Sequence, residues 1–543
     1  MNYPYENLEN FTLPSLLNRS VKLYETQDIL AKVGQTPMTY TEFDTAVQKT
    51  VLLLKGYGIK KGDKILLLSE NMPNWGVAYF AVTYFGAVIV PVLPDFHPSD
   101  VHRIMKHSEI KAVFVSSKHQ QTIENYGGSN NKFVLNLDSL TLVDKMCNVD
   151  YIYAVETNTQ DTTPHEDDLA ALIYTSGTTG NSKGVMLSHK NLVTNAMSAY
   201  IQVQIKKEDV FMSILPLAHT FECTVGLIVP ILHGSSVHYI DKVPTPSVLL
   251  KAFKIVRPTM MVSVPLIIEK IYKSKVLPKF TGSFLMRTLY SIGFIRKRLN
   301  KIAGKKLIET FGGRLRFFGV GGAGISPYVE QFLIEAEFPF IVGYGLTETS
   351  PLIAGSVLGA KVKHRSTGIA MAGVEIAIEN KDPKTGHGEI IARSPSIMMG
   401  YFKDEEKTAE VMQDDWFLTG DLGYLDEDGF LFISGRSKNV LIGSGGENIY
   451  PEQIEATINQ NESVVDSLVM MDKNQKLIAL INLDEEKIYH EEKNREEYLE
   501  NMRKDVNAQV SSFSRMVKFI EEKEPFVKTP TKKIKRFLYA DKY

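Results

Sequence analysis

The sequence predicts an α/β protein with a large N-terminal domain and a smaller C-terminal domain. Over the first four hundred residues, helical patterns alternate with short apolar runs, which is typical of parallel sheets with helices on both faces. From about Gly368 the pattern changes to short alternating strands with Gly, Asp and Asn turns. After "GRSKN" (residues 435–439) a separate compact unit begins.

Short apolar runs predict the strands of the large domain. The runs are "KILLLS", "KAVFVSS", "LAALIY", "RLRFFGV" and "FIVGYG". The later stretches "GVEIAIENKDPKTGHGEIIARS" and "GYLDEDGFLFISG" predict a small, mostly antiparallel β unit that closes this domain. We place the domain at residues 1–436.

Residues 437–543 predict an α+β domain of their own. A helix is opened by Pro451, and two strands follow in "VVDSLVMMD" and "KLIALINLD". An acidic helix, "EEKNREEYLENMRKDVNAQV", and a basic tail, "KTPTKKIKRFLY", complete the unit.

Composition limits the class of function. A chain of 543 residues is too long for one ordinary core, and 44% hydrophobic with 23% charged residues is typical of a globular protein. The formal net charge of -2 gives no electrostatic reason to expect a nucleic acid partner. Cys147 and Cys223 lie in no CxxC or Cys/His cluster, and "MNYPYENLEN" lacks a secretory pattern. We therefore expect a cytoplasmic protein.

One uncharged stretch, residues 75–93, is long enough to span a bilayer. Gly86 and Pro91 interrupt it, and its second part is β-branched. We therefore predict a helix over residues 74–84, a buried strand over 87–92 and no transmembrane span. A membrane transporter is the alternative.

The stretch "YTSGTTGNSKGVMLSH" (residues 174–189) places glycines, hydroxyls and one lysine between apolar flanks. It is not a Walker loop, because Ser182 precedes Lys183, Gly184 follows it, and "VML" is too short for a helix. Ser188 fits a helix N-cap, so we predict a loop between two strands and a helix from about Lys190. Such a loop can hold polyphosphate, although an ordinary turn is the alternative.

Seven further stretches extend this pattern along most of the chain. In their order they resemble the adenylate-forming superfamily of acyl-CoA synthetases, luciferases and peptide-synthetase adenylation domains. The stretches are "PLAHTFE" (216–222), "GGAGISP" (321–327), "GYGLTETSP" (343–351), "GEIIARSPSIMMGYF" (388–402), "WFLTGDLGYLDEDGF" (416–430), "GRSKNVLIGSGGENIYPEQIE" (435–455) and "KTPTKKIKR" (528–536).

The resemblance implies a site for ATP and Mg²⁺. Glu348 with the Thr175 hydroxyl would coordinate Mg²⁺, since an acid beside a phosphate loop is reasonable if a cation lies between them. Thr347 would contact the α-phosphate, and Tyr344 would stack on adenine. The implied nucleotide-binding set is Thr175, Ser176, Gly177, Thr178, Thr179, Gly180, Lys183, Gly322, Ala323, Gly343, Tyr344, Gly345, Asp421 and Arg436, with Asp421 and Arg436 at the ribose.

The resemblance also implies a mobile C-terminal domain that rotates about Lys438. In one state Lys533, with Thr347 and Glu348, would serve catalysis of adenylate formation. In the other state a segment with Gly445, Gly446 and Glu447 would line the CoA channel. The chain departs from the common pattern at two positions, with Lys532 in place of Gly and Asn439 in place of Asp.

"PLAHTFE" and "TPTKKIKR" resemble the long-chain fatty acyl-CoA synthetases most. This implies a fatty acid, ATP and CoA as substrates, with AMP and pyrophosphate released. His219 would lie at the acyl entrance, unless it is an ordinary core histidine. Activation of a medium-chain or aryl acid, or loading of a carrier protein by a fatty acyl-AMP ligase, remains an alternative.

Residues 284–308, from Phe284 to Ile308, contain seven Lys/Arg and no acid. They fit a peripheral contact with the anionic inner face of a membrane. The alternative, a solvated helix face with an apolar underside, is favoured. A homodimer and a monomer are both compatible with the sequence.

Overall fold

The computed structural model describes residues 8–126, 133–143, 162–175, 183–242, 244–383, 385–443, 447–488, 495–529, 533–540 and 542. The elements up to residue 175 are α1 (Leu13–Tyr24), β1 (Asp28–Lys32), β2 (Met38–Thr39), α2 (Tyr40–Gly56), β3 (Lys64–Leu68), α3 (Pro73–Tyr84), β4 (Val88–Val92), α4 (Pro98–Ser108), β5 (Ala112–Val115), α5 (Gln120–Glu124), β6 (Phe133–Asn136), β7 (Thr141–Leu142) and β8 (Leu169–Thr175).

The next elements run to residue 355. They are β9 (Lys183–Ser188), α6 (His189–Val203), β10 (Val210–Ser213), α7 (Thr220–Cys223), α8 (Val229–His233), β11 (Ser236–Tyr239), α9 (Pro246–Val256), β12 (Met260–Ser263), α10 (Pro265–Ile271), α11 (Leu277–Thr281), α12 (Phe284–Ser291), α13 (Gly293–Thr310), β13 (Phe317–Val320), α14 (Pro327–Glu335), β14 (Phe340–Gly345) and β15 (Leu352–Gly355). π-Helical turns join α7 to α8 and α10 to α11.

The remaining elements fall on either side of residue 436. Before it lie β16 (Ile369–Ala370), β17 (Glu375–Glu379), β18 (Gly388–Arg393), β19 (Gly400–Tyr401), α15 (Glu405–Val411), β20 (Met412–Gln413), β21 (Trp416–Leu425) and β22 (Leu431–Arg436). After it lie β23 (Leu441–Ile442), β24 (Asn448–Ile449), α16 (Pro451–Ile458), β25 (Val464–Met471), β26 (Leu477–Leu483), α17 (Glu485–Ile488), α18 (Arg495–Asn507) and β27 (Lys518–Glu521).

Two large sheets form the N-terminal part. One has nine strands in the order β16-β15-β14-β13-β12-β10-β11-β1-β2, and the other has eight in the order β19-β9-β8-β4-β3-β5-β6-β7. Their central strands pair in parallel. A five-stranded antiparallel sheet of β17, β18, β20, β21 and β22 follows. The predicted α/β class, with its small β unit, is confirmed.

The uncharged stretch at residues 75–93 is a core helix followed by a core strand. Every residue of α3 from Trp75 to Thr83 is buried, as expected of a helix that is apolar all round. Gly86 then turns the chain with a φ of 82°, and β4 lies between β3 and β8. Among the described residues, no helix is long and apolar enough to cross a membrane.

The C-terminal part has its own three-stranded sheet, in the order β25-β26-β27, which packs on α16 and α18. Its two apolar cores contain only residues from 441 onward, and the three cores of the N-terminal part contain only residues up to Ile433. The predicted domain boundary after residue 436 lies between these two groups of cores.

Candidate active site

Lys183 of the phosphate loop lies opposite Thr175, the last residue before the loop, on the neighbouring strand. Thr175 ends β8, Lys183 begins β9, and the two strands pair antiparallel. Ser188 caps α6, because its hydroxyl accepts the backbone N–H of Asn191 at 3.1 Å. The loop therefore joins two strands, as the sequence predicts. Five of its predicted phosphate ligands lie outside the described residues: Ser176, Gly177, Thr178, Thr179 and Gly180.

Tyr401 connects this loop to Glu348. Its hydroxyl donates to Glu348 Oε1 at 2.9 Å, and the Lys183 ammonium lies 4.5 Å from the centre of its ring. Tyr401 reaches this position because β19 pairs with β9, where it lies opposite Val185. No role for Tyr401 is predicted from the sequence, since a two-residue strand that pairs with a distant segment leaves no local signal.

A tightly packed turn holds Glu348 and Thr347. The amide of Asn195 donates to the carbonyls of Thr349 and Leu352, at 3.1 Å and 2.7 Å. Gly345, just before the turn, allows a close backbone approach that any side chain would prevent, because a Cβ there would lie 1.7 Å from the carbonyl oxygen of Pro351. The glycine in "GYGLTETS" is therefore a packing requirement.

The residues around Glu348 fit a Mg²⁺ site that a phosphate ligand would complete. Tyr401 occupies only Oε1 of Glu348, and Oε2 meets no hydrogen-bond donor among the described residues. Those residues include no group of three or more His, Cys, Asp or Glu side chains that could hold a metal alone. Mg²⁺ is commonly bound by one or two carboxylates, substrate phosphates and water, which this arrangement allows.

A second group of polar side chains forms around Asp421. The Tyr344 hydroxyl donates to Asp421 Oδ2 at 2.8 Å, and Arg436 Nε lies 2.7 Å from Asp421 Oδ1. Burial raises the pKa of Asp421, and Arg436 and Tyr344 oppose that rise. Both oxygens keep a lone pair for a further donor such as a sugar hydroxyl.

The turn after β13 exposes backbone beside this group. Gly322 and Ala323 are exposed, and Gly322 has a φ of 82° that favours glycine. The preceding Gly321 packs on the ring of Phe221, where a Cβ would come within 3.1 Å of the ring. Gly343 lies in the neighbouring strand β14, with its carbonyl near Gly321. A flat ligand could therefore approach the backbone of this turn closely.

Lys533 lies opposite Thr529 near the end of the C-terminal part. The backbone N–H of Thr529 donates to the Lys533 carbonyl at 2.8 Å, and the Thr529 hydroxyl accepts the Lys533 N–H at 3.1 Å. Lys528 pairs with Asp466 at 2.6 Å, and Arg536 pairs with Glu455. These pairs fix Lys528 and Arg536, on either side of Lys533, to β25 and α16. Lys532 lies outside the described residues.

The Lys533 side chain enters the cleft between the two parts of the chain. Desolvation and the nearby Arg436 lower the pKa of Lys533, while Asp421 and Glu348 oppose the change. Lys533 is exposed to solvent, as expected of a side chain that lines an open cleft. Lys533 thus lies within electrostatic range of Asp421 and Arg436, the predicted ribose ligands, and of Glu348, a predicted metal ligand.

His219 lies at the same cleft. Its Nδ1 accepts the backbone N–H of Phe221 at 3.2 Å, which caps α7. Burial, and to a smaller extent Lys533, lowers the pKa of His219 to about 4, so the ring is neutral at physiological pH. His219 is a neutral group within electrostatic range of the Lys533 ammonium.

A small apolar cavity of about 40 Å³ lies in the large domain. Phe221, two residues after His219, and Gly343 line it. The wall also contains Ala199, Gln202, Val203, Ile205, Phe211, Val225, Met260, Phe317, Gly319, Val320, Ile341, Leu352, Ala354, Gly355, Ser356 and Met371.

The predicted hinge and CoA segment lie near the start of the C-terminal part. Lys438 is exposed, and the adjacent Asn439 amide donates to Glu452 Oε1 at 2.6 Å. An aspartate at position 439 would place two carboxylates together, which accounts for the asparagine here. The Glu447 carbonyl accepts from Gly443 at 2.8 Å. Gly445 and Gly446 lie outside the described residues.

Comparison with known families accounts for most of the chain. Residues 18–402 match the AMP-binding family, described as AMP-binding enzyme. Residues 438–543 match the AMP-binding enzyme C-terminal domain.

Individual relatives and solved structures agree. The chain is 28% identical to long-chain-fatty-acid–CoA ligase heimdall of Drosophila melanogaster, over 87% of this chain and 76% of that protein. It is 30% identical to the peroxisomal long chain acyl-CoA synthetase 7 of Arabidopsis thaliana, over 83% of this chain and 69% of that protein. Its fold matches ATP-bound MatB of Rhodopseudomonas palustris with a TM-score of 0.78 and 24% identity, over 98% and 100% of the two chains. The anthranilate CoA ligase AuaEII matches with a TM-score of 0.79 and 20% identity, over 99% and 98%.

Proposed function

The chain belongs to the AMP-binding enzyme family and is an AMP-forming acid–CoA ligase; we propose that its acid is a long-chain fatty acid. The observation that carries this proposal is the small apolar cavity whose wall includes Phe221, the residue whose backbone N–H donates to His219. A cavity with apolar walls favours a hydrocarbon chain and offers no partner for a second charge. The names of the curated relatives support the same substrate class.

In the first half-reaction a carboxylate oxygen of the acid attacks the α-phosphorus of ATP. The bond between the α- and β-phosphates breaks, and pyrophosphate leaves while acyl-AMP forms. Two anions must approach each other, so catalysis consists mainly of charge neutralisation and alignment. Lys533 places an ammonium beside the reacting groups, and the neutral ring of His219 adds no charge at the acyl entrance.

Other residues hold the nucleotide in this proposal. Thr347 donates to the α-phosphate, Lys183 neutralises the departing phosphates, and Asp421 with Arg436 holds the ribose. Glu348 and Thr175 would hold Mg²⁺, which would supply positive charge at the phosphates. Tyr401 keeps the Glu348 carboxylate pointed at that position.

In the second half-reaction the sulfur of CoA attacks the acyl carbonyl carbon. The bond to AMP breaks, AMP leaves, and the thiol proton passes to solvent. The C-terminal domain rotates about Lys438, which withdraws Lys533 and brings the segment with Gly445, Gly446 and Glu447 to the acyl group.

An AMP-release assay tests the substrate class. We would supply ATP, Mg²⁺ and CoA with acids from acetate to stearate, and include benzoate and one amino acid. The highest kcat/KM is expected for a long-chain acid. A maximum for benzoate or acetate would contradict the proposal. Thioester formation when free CoA is the only thiol present would distinguish this enzyme from one that loads only a carrier protein.

A further inference from the structure

The helices α12 and α13 expose large apolar side chains to solvent. Phe284 is 81% exposed, Leu285 68% and Phe294 69%, and α12 has no fully buried residue. A solvated helix with an apolar underside would have turned such residues inward. A group of large exposed apolar side chains usually marks a binding surface.

The exposure is not caused by loose attachment of these helices. The Tyr290 ring stacks on Phe280 with 4.7 Å between centres, and its hydroxyl donates to Asn300 at 2.9 Å. Arg296 pairs with Glu335 at 2.8 Å. The helices are therefore fixed to the body of the protein while the three apolar side chains point away from it.

Cationic side chains share the outer face of α13 with the exposed phenylalanine. Phe294, Arg298, Lys301, Ile302 and Lys305 follow the spacing of one helix face. Within the described part of the chain, five cations of α12 and α13 form no ion pair, in contrast to Arg296 and Lys301: they are Arg287, Lys297, Arg298, Lys305 and Lys306.

We propose that this surface, defined by Phe284, Leu285, Phe294, Arg298 and Lys305, docks on an anionic lipid bilayer. Aromatic and aliphatic side chains enter the headgroup region, and adjacent Lys and Arg bind the anionic headgroups. A second copy of the chain is disfavoured as the occupant, because a two-fold contact would bring the same cations together. An acidic protein would pair with the cations, but its acidic side chains would not cover Phe284 and Phe294.

The proposal concerns binding alone and does not depend on the acid that the enzyme activates. If the substrate is a long-chain acid, the surface places the enzyme where that acid is dissolved. Binding without fatty acid activity, or activity without binding, would separate the two proposals.

Vesicle co-sedimentation of the full chain tests the docking surface. The probes are phosphatidylcholine vesicles with and without about 30% phosphatidylglycerol, at about 0.1 M and 0.5 M salt. The wild type should sediment with the anionic vesicles at low salt. F284S/F294S should weaken the partition coefficient about tenfold or more, and R298E/K305E about fivefold or more at low salt.

Matched variants control for general surface effects. L52S/I255S removes two apolar side chains that are also mostly exposed, and K207E/K518E reverses two exposed lysines outside the surface. Both should bind vesicles as the wild type does. Unchanged binding of F284S/F294S, or no binding of the wild type, would overturn the proposal. So would binding to polyglutamate without binding to vesicles, which would indicate an acidic protein partner.

Discussion

At the scale of single residues, Lys533 allows the two half-reactions to be separated. Its ammonium lies in the cleft near Glu348 and Asp421, where only adenylate formation would require it. Lys533→Ala should lower acid-dependent ATP–pyrophosphate exchange by about 100-fold or more, as expected for loss of a charged group at the reacting phosphate. Conversion of preformed acyl-AMP to thioester should change little.

The exposed Lys518 of the same domain provides a matched control for this prediction. Lys518→Ala should leave both half-reactions unchanged. If Lys533→Ala reduces both steps equally, the rotation of the C-terminal domain is not part of the mechanism.

Glu222 predicts a pH dependence of stability. It is buried in α7, and neither carboxylate oxygen meets a donor at hydrogen-bonding geometry among the described residues. Burial raises the pKa of Glu222 from 4.5 to about 8, against a smaller opposing effect of Ser213. Between pH 4.5 and about 8, the Glu222 carboxyl is therefore protonated in the folded protein and ionised in the unfolded chain. The contribution of Glu222 to stability therefore falls as pH rises, by about 1.4 kcal/mol per pH unit.

Glu222→Gln should remove this loss. Its Tm should exceed that of the wild type by several degrees at pH 8, and the two should agree near pH 4.5, as measured by calorimetry. Glu406→Gln, an exposed change in α15, should leave Tm unaltered at both values. A Glu222→Gln advantage that is the same at both pH values would show that the carboxyl does not titrate as described.

At the scale of single elements, a hydrogen bond between Lys273 and Asn459 is among the contacts that join the two domains in the present arrangement. The Lys273 ammonium, on the π-helical turn after α10, donates to the Asn459 carbonyl at 2.9 Å. That carbonyl lies at the C-terminal end of α16, where the helix dipole favours a cation. The pKa of Lys273 is lowered mainly by burial, so the contact is partly shielded from water.

Lys273→Met should therefore disfavour this domain arrangement. A loss of about 1 kcal/mol corresponds to about a fivefold lower rate of pyrophosphate exchange, measured at saturating substrates. Thioester formation from acyl-AMP should keep its rate or increase. Lys275→Met, an exposed change on the same turn, is the control, and an equal effect of both variants would exclude a specific role for the contact.

The sequence predicts an element correctly when the residues that determine it lie close together in the chain. Ser182, Lys183 and the short "VML" run predict a loop between strands, and β8 and β9 pair accordingly. The position of Tyr401 could not be predicted, because it depends on pairing between β9 and the distant two-residue strand β19. The composition of α12 and α13 also left two orientations open, and only the packing of Tyr290 and Arg296 decides which face is exposed.

At the scale of the whole molecule, no described apolar core includes residues from both sides of residue 436. The domain boundary at this position remains a prediction, and it can be tested by expressing residues 1–436 and 437–543 separately. Each piece retains complete cores, so each should unfold cooperatively in urea.

Neither piece alone should catalyse pyrophosphate exchange, because Glu348 and Asp421 lie in the first and Lys533 lies in the second. The larger piece should still bind AMP, since Tyr344, Asp421 and Arg436 all belong to it, and isothermal titration would measure this. If residues 1–436 support exchange near the wild-type rate, the site does not need Lys533. If either piece fails to unfold cooperatively, its cores depend on the other part, and the two parts would form one folding unit joined across residue 436.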